Sequence, residues 1–351
     1  MTHPKTAFFR HLTVLRSCAR ALGYRMPAEW EPMRRVWLSP PQNPATWPHC
    51  FAQARAQFRG FAQALRRQVT VASTTIAGIP TNDAWVRDFG PIFVVRDPAV
   101  DHGDDLPRKA LHDFRFNGWG GKYERRGLDD LVPQHIAARL GLPLWVHNLV
   151  FEGGSIDVNG RGTVMTTEQC LLHKNRNPRK KRGQIVAELH EALGTRHVIW
   201  LPGGIVGDDT DGHIDDIARF VTPGTIVAVR ARRGHPDQAM LERNWRALRQ
   251  ARDQDGHPLT LVALPAPEPI LYRFPADRYR PGGLAPLPAS YANFLIVNGA
   301  VFVPIFGQDT DEKALHILGQ ALPRYRIVGL RAEHLVVGLG AFHCLSQQEP
   351  E

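Results

Sequence analysis

A chain of 351 residues, 43% hydrophobic and 22% charged, has the balance of a globular protein, which excludes disorder or fibrous repeats over most of its length. Its 43 lysines and arginines exceed its 34 aspartates and glutamates, giving a formal net charge of +9; taken alone, that surplus points to a binder of nucleic acid or membrane surfaces. Four widely spaced cysteines, Cys18, Cys50, Cys170 and Cys344, with no Cys-x-x-Cys pair, speak against a disulfide framework or zinc ribbon and fit a reducing, cytoplasmic setting.

In chain order, residues 1–25 hold Phe8, Phe9, Leu12 and Leu15, but Arg10, Arg16 and Arg20 break any apolar core of a secretory signal. Five segments then show apolar residues three and four apart, the period of a helix: Cys50–Gln68, Leu128–Leu140, Gly183–Leu193, Asp237–Arg252 and Asp311–Leu322. Each runs into a short β-rich stretch: Val69–Ser73, Leu144–Val150, His197–Leu201, Leu259–Leu264 and Tyr325–Leu330. The one dense basic run, Asn175–Arg182, reads as a solvated loop and helix start. The longest uncharged stretch, Pro286 to Gln308, is split by Asn298-Gly299 into two β-like runs, so it reads as a hairpin and not a membrane span.

Helix, strand, polar loop and hairpin thus repeat about five times. Neighbouring units must bury one another's apolar faces, and a closed ring does so without leaving sheet edges. The last unit lacks its hairpin strand, and the early run Val36–Ser39 is placed to supply it. The expectation is an α/β fold, one domain of five pseudo-repeats; the competing reading is a two-domain α/β protein.

Equivalent loops of such a ring converge near its axis. They carry Asp88, Glu152, His213 with Asp215, Asn293 and Cys344. Each has a plain structural reading, such as a buried free cysteine or an Arg87–Asp88 pair on a solvated turn. Together they suit chemistry on a cation: a thiol nucleophile, an imidazole, and carboxylates that can bind the N–H fork of a guanidinium. His213, Asp215 and Cys344 as zinc ligands lack supporting spacing, a Cys-His peptide hydrolase would not need three carboxylates, and no nucleotide-binding glycine motif is present.

These residues lie in stretches that resemble the agmatine deiminase and bacterial-type peptidylarginine deiminase family of guanidine-modifying enzymes. The stretches are MPAEWEP (26–32), NDAWVRDFGP (82–91), FNGWGGKY (116–123), FEGGSIDVNGRGTVMTTEQCLL (151–172), NRNP (175–178), WLPGG (200–204), DDTDGHIDD (208–216), SYANFLIVNGAVFVPIFG (290–307) and HCLSQQ (343–348). The resemblance implies a five-bladed α/β propeller, the pentein fold. It implies Cys344 as nucleophile, His213 as acid/base, Asp88 and Asp215 as guanidinium ligands, and Glu152 acting with His213. Trp85, Trp119, Asp209 and Asn293 become substrate-binding candidates.

The implied reaction is hydrolysis of agmatine to N-carbamoylputrescine and ammonia, a step of polyamine metabolism, with no metal or organic cofactor. Peptidyl arginine or another small guanidine is the alternative substrate, and a non-enzymatic nucleic-acid-binding protein the alternative class. The partner is then a small cationic guanidine, with no nucleic acid or membrane, and a homo-oligomer is compatible with the reading. Asp209 stands where the resemblance leads one to expect Glu, Asp216 where it leads one to expect Asn. Met33 replaces a histidine, and Leu339, Ala341 and Phe342 replace small or polar residues. Residues 1–25 fall outside the resemblance and are expected to be a dispensable extension of a single catalytic domain, residues 26–351. The +9 is expected to spread over the outer surface around an acidic pocket.

Overall fold

Apolar β-branched runs separated by amphipathic segments give one arrangement five times over. A computed structural model describes residues 12–100, 102–123, 127–276 and 282–351. Strand β1 (Met33–Leu38) is parallel to β2 (Thr70–Ser73), and α1 (Phe51–Arg66) connects them. Strand β3 (Ile92–Val95) is antiparallel to β4 (Lys109–Arg115), which is parallel to β5 (Leu144–Val150) across α2 (Val132–Leu140). The same pattern joins β6 (Ile156–Val158), β7 (Thr163–Thr167), α3 (Arg182–Leu193) and β8 (His197–Leu201). It recurs in β9 (Ala218–Thr222), β10 (Thr225–Arg230), α4 (Gln238–Gln250) and β11 (Thr260–Pro265). A short hairpin, β12 (Leu271–Phe274) with β13 (Gly283–Pro286), is interposed. The pattern then resumes in β14 (Leu295–Val297), β15 (Ala300–Ile305), α5 (Thr310–Ala321) and β16 (Arg326–Arg331). The last strand, β17 (Ser346–Pro350), pairs antiparallel with β1, Leu38 opposite Ser346 and Val36 opposite Gln348.

Among the described residues five three-stranded sheets result, each with a helix bridging its parallel pair, as parallel pairing requires. The run expected at Val36–Ser39 is β1, and the chain's first and last strands share one sheet. The predicted helices and following strands are present within a few residues. The sequence reading missed β4, β17 and the β12–β13 hairpin, whose short or mixed strands carry no clean alternation.

The helices form because their apolar residues fall on one stripe. In α1 these are Ala54, Phe58, Phe61, Ala62 and Leu65, all buried; Phe61 stacks on Phe342 with ring centroids 4.4 Å apart. Truncating Phe61 to Ala would cost about 3–5 kcal/mol. Helix α3 ends at Gly194, where φ is +66° and a Cβ would meet Tyr24 O at 2.5 Å, so both backbone and packing demand glycine.

Residues 12–25 lie against this body. Val14 bridges Leu144, Trp145 Nε1 donates to Ser17 O at 2.5 Å, and Ala19 and Tyr24 are buried. Residues 1–11 of the expected extension lie outside the described residues. Among the described residues no helix is long and apolar enough to cross a membrane.

One consequence of the repeat positions the site. The segment just before the antiparallel strand of each three-stranded sheet carries a candidate residue. Asp88 precedes β3, Glu152 precedes β6, His213 and Asp215 precede β9, Asn293 precedes β14, and Cys344 precedes β17.

Candidate active site

The nucleophile candidate sits on a constrained loop. Leu339 has φ +74°, a left-handed backbone that non-glycine residues seldom adopt. A Cβ on Gly340 would meet the Trp85 ring at 2.6 Å and Cys344 Cβ at 2.9 Å. Trp85 therefore supports the cysteine loop from below and packs on Trp47, ring centroids 5.4 Å apart. Cys344 is buried, with Sγ 3.0 Å from Asn293 Nδ2 and 3.5 Å from Asp215 Oδ2. Asn293 is the hub: its Oδ1 accepts from the backbone N–H of His343 (3.0 Å) and Cys344 (3.3 Å), and its Nδ2 also donates to Asp216 Oδ1 at 3.0 Å. Arg87, itself buried, donates Nε to His343 O at 3.2 Å and Nη1 to Gln347 Oε1 at 2.9 Å and to Gln348 Oε1. The HCLSQQ stretch thus clasps the arginine next to Asp88. Burial first, then the charges of Asp215, Asp216 and Asp88, push the Cys344 thiol well above its ordinary pKa.

The carboxylates face the same space. Asp88 Oδ2 accepts from Trp119 Nε1 at 2.8 Å and Oδ1 from Gly154 N at 3.1 Å; its pKa is raised to about 6, chiefly by burial. Trp119 is placed by a glycine-rich turn in which it takes φ +55° itself. Glu152, fully buried, accepts from Arg176 Nε at 2.7 Å. Burial would raise its pKa, but Arg176 and His213 outweigh burial and lower it. His213 lies between the carboxylates, Nδ1 3.6 Å from Asp88 Oδ1 and Nε2 3.9 Å from Glu152 Oε2. Burial alone would lower its pKa; Asp88, the Cys170 thiol and Glu152 drive it well above the ordinary value. Among the described residues, neither imidazole nitrogen has a hydrogen-bond partner, nor do Glu152 Oε2 and Asp215 Oδ1. Gly154 leaves the middle open: a Cβ there would stand 2.6 Å from His213 Nδ1, 2.8 Å from Asp88 Oδ1 and 3.1 Å from Asp215 Oδ2.

A buried space ringed by three carboxylates, an imidazole and a thiol, several with unused hydrogen-bonding capacity, can take a planar cation with several N–H donors. Asp88, Glu152, His213, Asp215, Asn293, Trp119 and Cys344 are connected here through these contacts. Trp85 lies behind the cysteine loop. Asp209 sits further out, its side chain accepting from Tyr123 OH and its carbonyl from Lys122 Nζ at 2.5 Å. Glu152, Cys170 and His213 each bring one atom to within 4.8 Å of the others, a donor set that could hold a soft divalent ion.

Two expectations need correction. The basic run is solvated except at its head: Arg176 is buried and bonded to Glu152, to Asp211 Oδ2 at 2.6 Å and to Thr210 O at 2.9 Å. The charge surplus is not all on the surface either, since Arg87, Arg96, Arg176 and Arg219 are buried. Composition averages over a run and cannot single out the one cation that a turn folds inward. Sequence reasoning also passed over Cys170, Glu29 and His343; each stood inside a quoted stretch, which was the only available signal.

The model of the Porphyromonas-type peptidyl-arginine deiminase family matches residues 25–350. The agmatine deiminase of Medicago truncatula is 36% identical, covering 93% of this chain and 96% of that protein. That of Stutzerimonas stutzeri is also 36% identical, covering 97% and 99%. The solved structure of the Enterococcus faecalis agmatine deiminase superposes with a TM-score of 0.87 at 31% identity, covering 97% of this chain and 99% of that one.

Proposed function

The chain belongs to the Porphyromonas-type peptidyl-arginine deiminase family, and from that premise we propose that it hydrolyses agmatine to N-carbamoylputrescine and ammonia. The relatives named agmatine deiminase, matched over nearly the whole chain, support the substrate. The observation that carries the chemistry is the buried space bounded by Asp88, Glu152, His213, Asp215 and Cys344, with its unpartnered acceptors. The five sheets are read as five blades of a pentein ring with this space near the axis.

Asp88 and Asp215 bind the guanidinium N–H groups, and Trp119 and Asn293 hold Asp88 and Cys344 in place. The arriving cation offsets the negative field that keeps the Cys344 proton in place, so substrate binding itself favours the thiolate. Cys344 Sγ attacks the guanidinium carbon and forms a C–S bond. His213, flanked by Glu152, delivers a proton to the departing nitrogen, the C–N bond breaks, and ammonia leaves. A covalent thiouronium remains. His213 then takes a proton from water, hydroxide adds to the same carbon, and C–S cleavage returns the thiol and the ureido product. Asp209, beyond the reacting end, is placed in this reading toward the substrate's distal ammonium.

The test is a panel of agmatine, arginine, arginine-containing peptides and other small guanidines, scored for ammonia and ureido product. Agmatine is expected to have the highest kcat/KM, and Cys344→Ser to abolish turnover. Preference for an arginine peptide would replace the substrate, and silence on every guanidine would sink the enzyme.

A further inference from the structure

Behind Asp215 lies a second buried charge cluster that the reaction above does not use. His343 Nδ1 is 2.7 Å from Asp215 Oδ2, and its Nε2 is 2.8 Å from Glu29 Oε2. Glu29 Oε2 also accepts from Arg219 Nη2 at 2.7 Å, and Glu29 Oε1 accepts from the Ile296 N–H at 2.7 Å. Arg219 is held in turn by Asp157 and by Phe294 O at 2.7 Å, and Arg87 Nη2 lies 3.9 Å from Glu29 Oε2. Glu29, His343, Asp215, Arg219, Asp157 and Arg87 are all more than nine-tenths buried.

In the row Asp215–His343–Glu29 each imidazole nitrogen faces a carboxylate oxygen at hydrogen-bonding distance, and a neutral imidazole has a proton for only one of them. Burial, with Arg219 and Arg87 nearby, lowers the His343 pKa, against the opposing pull of Glu29 and Asp215; Asp157 and Cys344 are the other titratable groups around the row. Burial opposes ionising Glu29, but Arg219 and His343 outweigh it and hold its pKa far below the carboxylate range. The row also has a geometric consequence. His343 occupies Asp215 Oδ2, while Asp215 Oδ1 makes no hydrogen bond among the described residues. One oxygen is thus anchored and the other left for substrate. The residue after His343 is the nucleophile, and the His343 main chain is held on both sides, its N–H by Asn293 and its carbonyl by Arg87.

We propose that Glu29 and His343 are positioning residues for the deimination: Glu29 anchors the imidazole, and the imidazole orients Asp215 and steadies the loop bearing Cys344. The proposal rests on the reading of Cys344 and Asp215 given above. It assigns a function to the MPAEWEP stretch, whose Glu29 reaches the cysteine loop through His343.

The experiment compares Glu29→Gln, His343→Asn, His343→Gln and His343→Ala with wild type. Each is assayed on agmatine across pH, with rates expressed per reactive Cys344 titrated, and with agmatine affinity measured separately in a Cys344→Ser background. An Asn amide can stand in for the Nδ1–H that reaches Asp215, whereas a Gln amide mimics the Nε2 side. His343→Asn should stay within about tenfold of wild type in kcat/KM, while His343→Ala and His343→Gln lose about a hundredfold or more, in line with misplacement of a reacting group. Glu29→Gln should lower kcat per thiol at least tenfold and move the acid limb of its pH profile by a unit or more. A purely structural role would reduce the melting temperature and the reactive fraction but leave the profile and the rate per thiol unchanged; that outcome overturns the proposal. So does His343→Asn behaving no better than His343→Ala. Failure of wild type to turn over any guanidine would instead overturn the function itself.

Discussion

At the scale of single residues, the candidate site gathers the buried carboxylates of Asp88, Glu152 and Asp215 around His213. Asp88 is half protonated at about pH 6 because burial raises it. A guanidinium binds its carboxylate form, so binding must expel that proton below this pH and is unaffected above it. Agmatine affinity of the Cys344→Ser protein, followed by calorimetry, should fall about tenfold per unit below pH 6 and be level above; a flat response down to pH 5 would remove Asp88 from the guanidinium site. Gly154→Ala puts a methyl where three polar atoms already converge, without demanding an unusual backbone. It should lose at least a hundredfold in kcat/KM per folded molecule, with a stability loss of about 1–3 kcal/mol from the overpacking, whereas near-normal turnover would mean that the substrate lies elsewhere. That Cys344, His213 and the carboxylates converge was legible because they stand at matching points of a repeat. Arg176 and Cys170 were not, because their neighbours Glu152 and His213 reach them only through the fold.

Elements explain both what was readable and what was not. Amphipathic periodicity marked the five bridging helices, whose buried residues recur on one stripe, and β-rich composition marked the strands after them. The pairing of β17 with β1 could not be read from either strand alone: SQQEP has no apolar alternation, and its residues are buried because neighbours cover them. Glu349 shows what holds that pairing. It is buried in β17, accepts from Trp37 Nε1 at 2.9 Å and Lys109 Nζ at 2.7 Å, and is ion-paired with Arg35 Nε 3.0 Å away, linking β1 and β4. Glu349→Ala would strand two cations and an indole N–H, and should cost about 3–5 kcal/mol, read as a lower urea midpoint. A loss below 1 kcal/mol would show that the main-chain ladder alone secures the sheet.

For the whole molecule, net charge was the least informative number. Several arginines contribute to +9 from inside, where they pair with Glu29, Glu152 and Asp157. The proposed dispensability of residues 1–25 also belongs at this scale. Removing them strips Tyr24 from Trp145, whose rings meet edge to face at 5.3 Å, and the bridge at Leu144. A chain starting at Met26 should fold, turn over substrate normally per folded molecule, and melt earlier by the equivalent of at least about 3 kcal/mol. A chain that is insoluble, or folded and inert, would make the segment essential. The sheet shared by β1 and β17 has a consequence for the order of assembly as well. Strand β1 finds β2 close by in sequence, whereas its pairing with β17 brings together residues 312 positions apart at Trp37 and Glu349. Contacts of such separation close late, because the loop entropy has to be met before they form. The loop carrying the candidate thiol is therefore expected to set only after the rest of the sheet has been built.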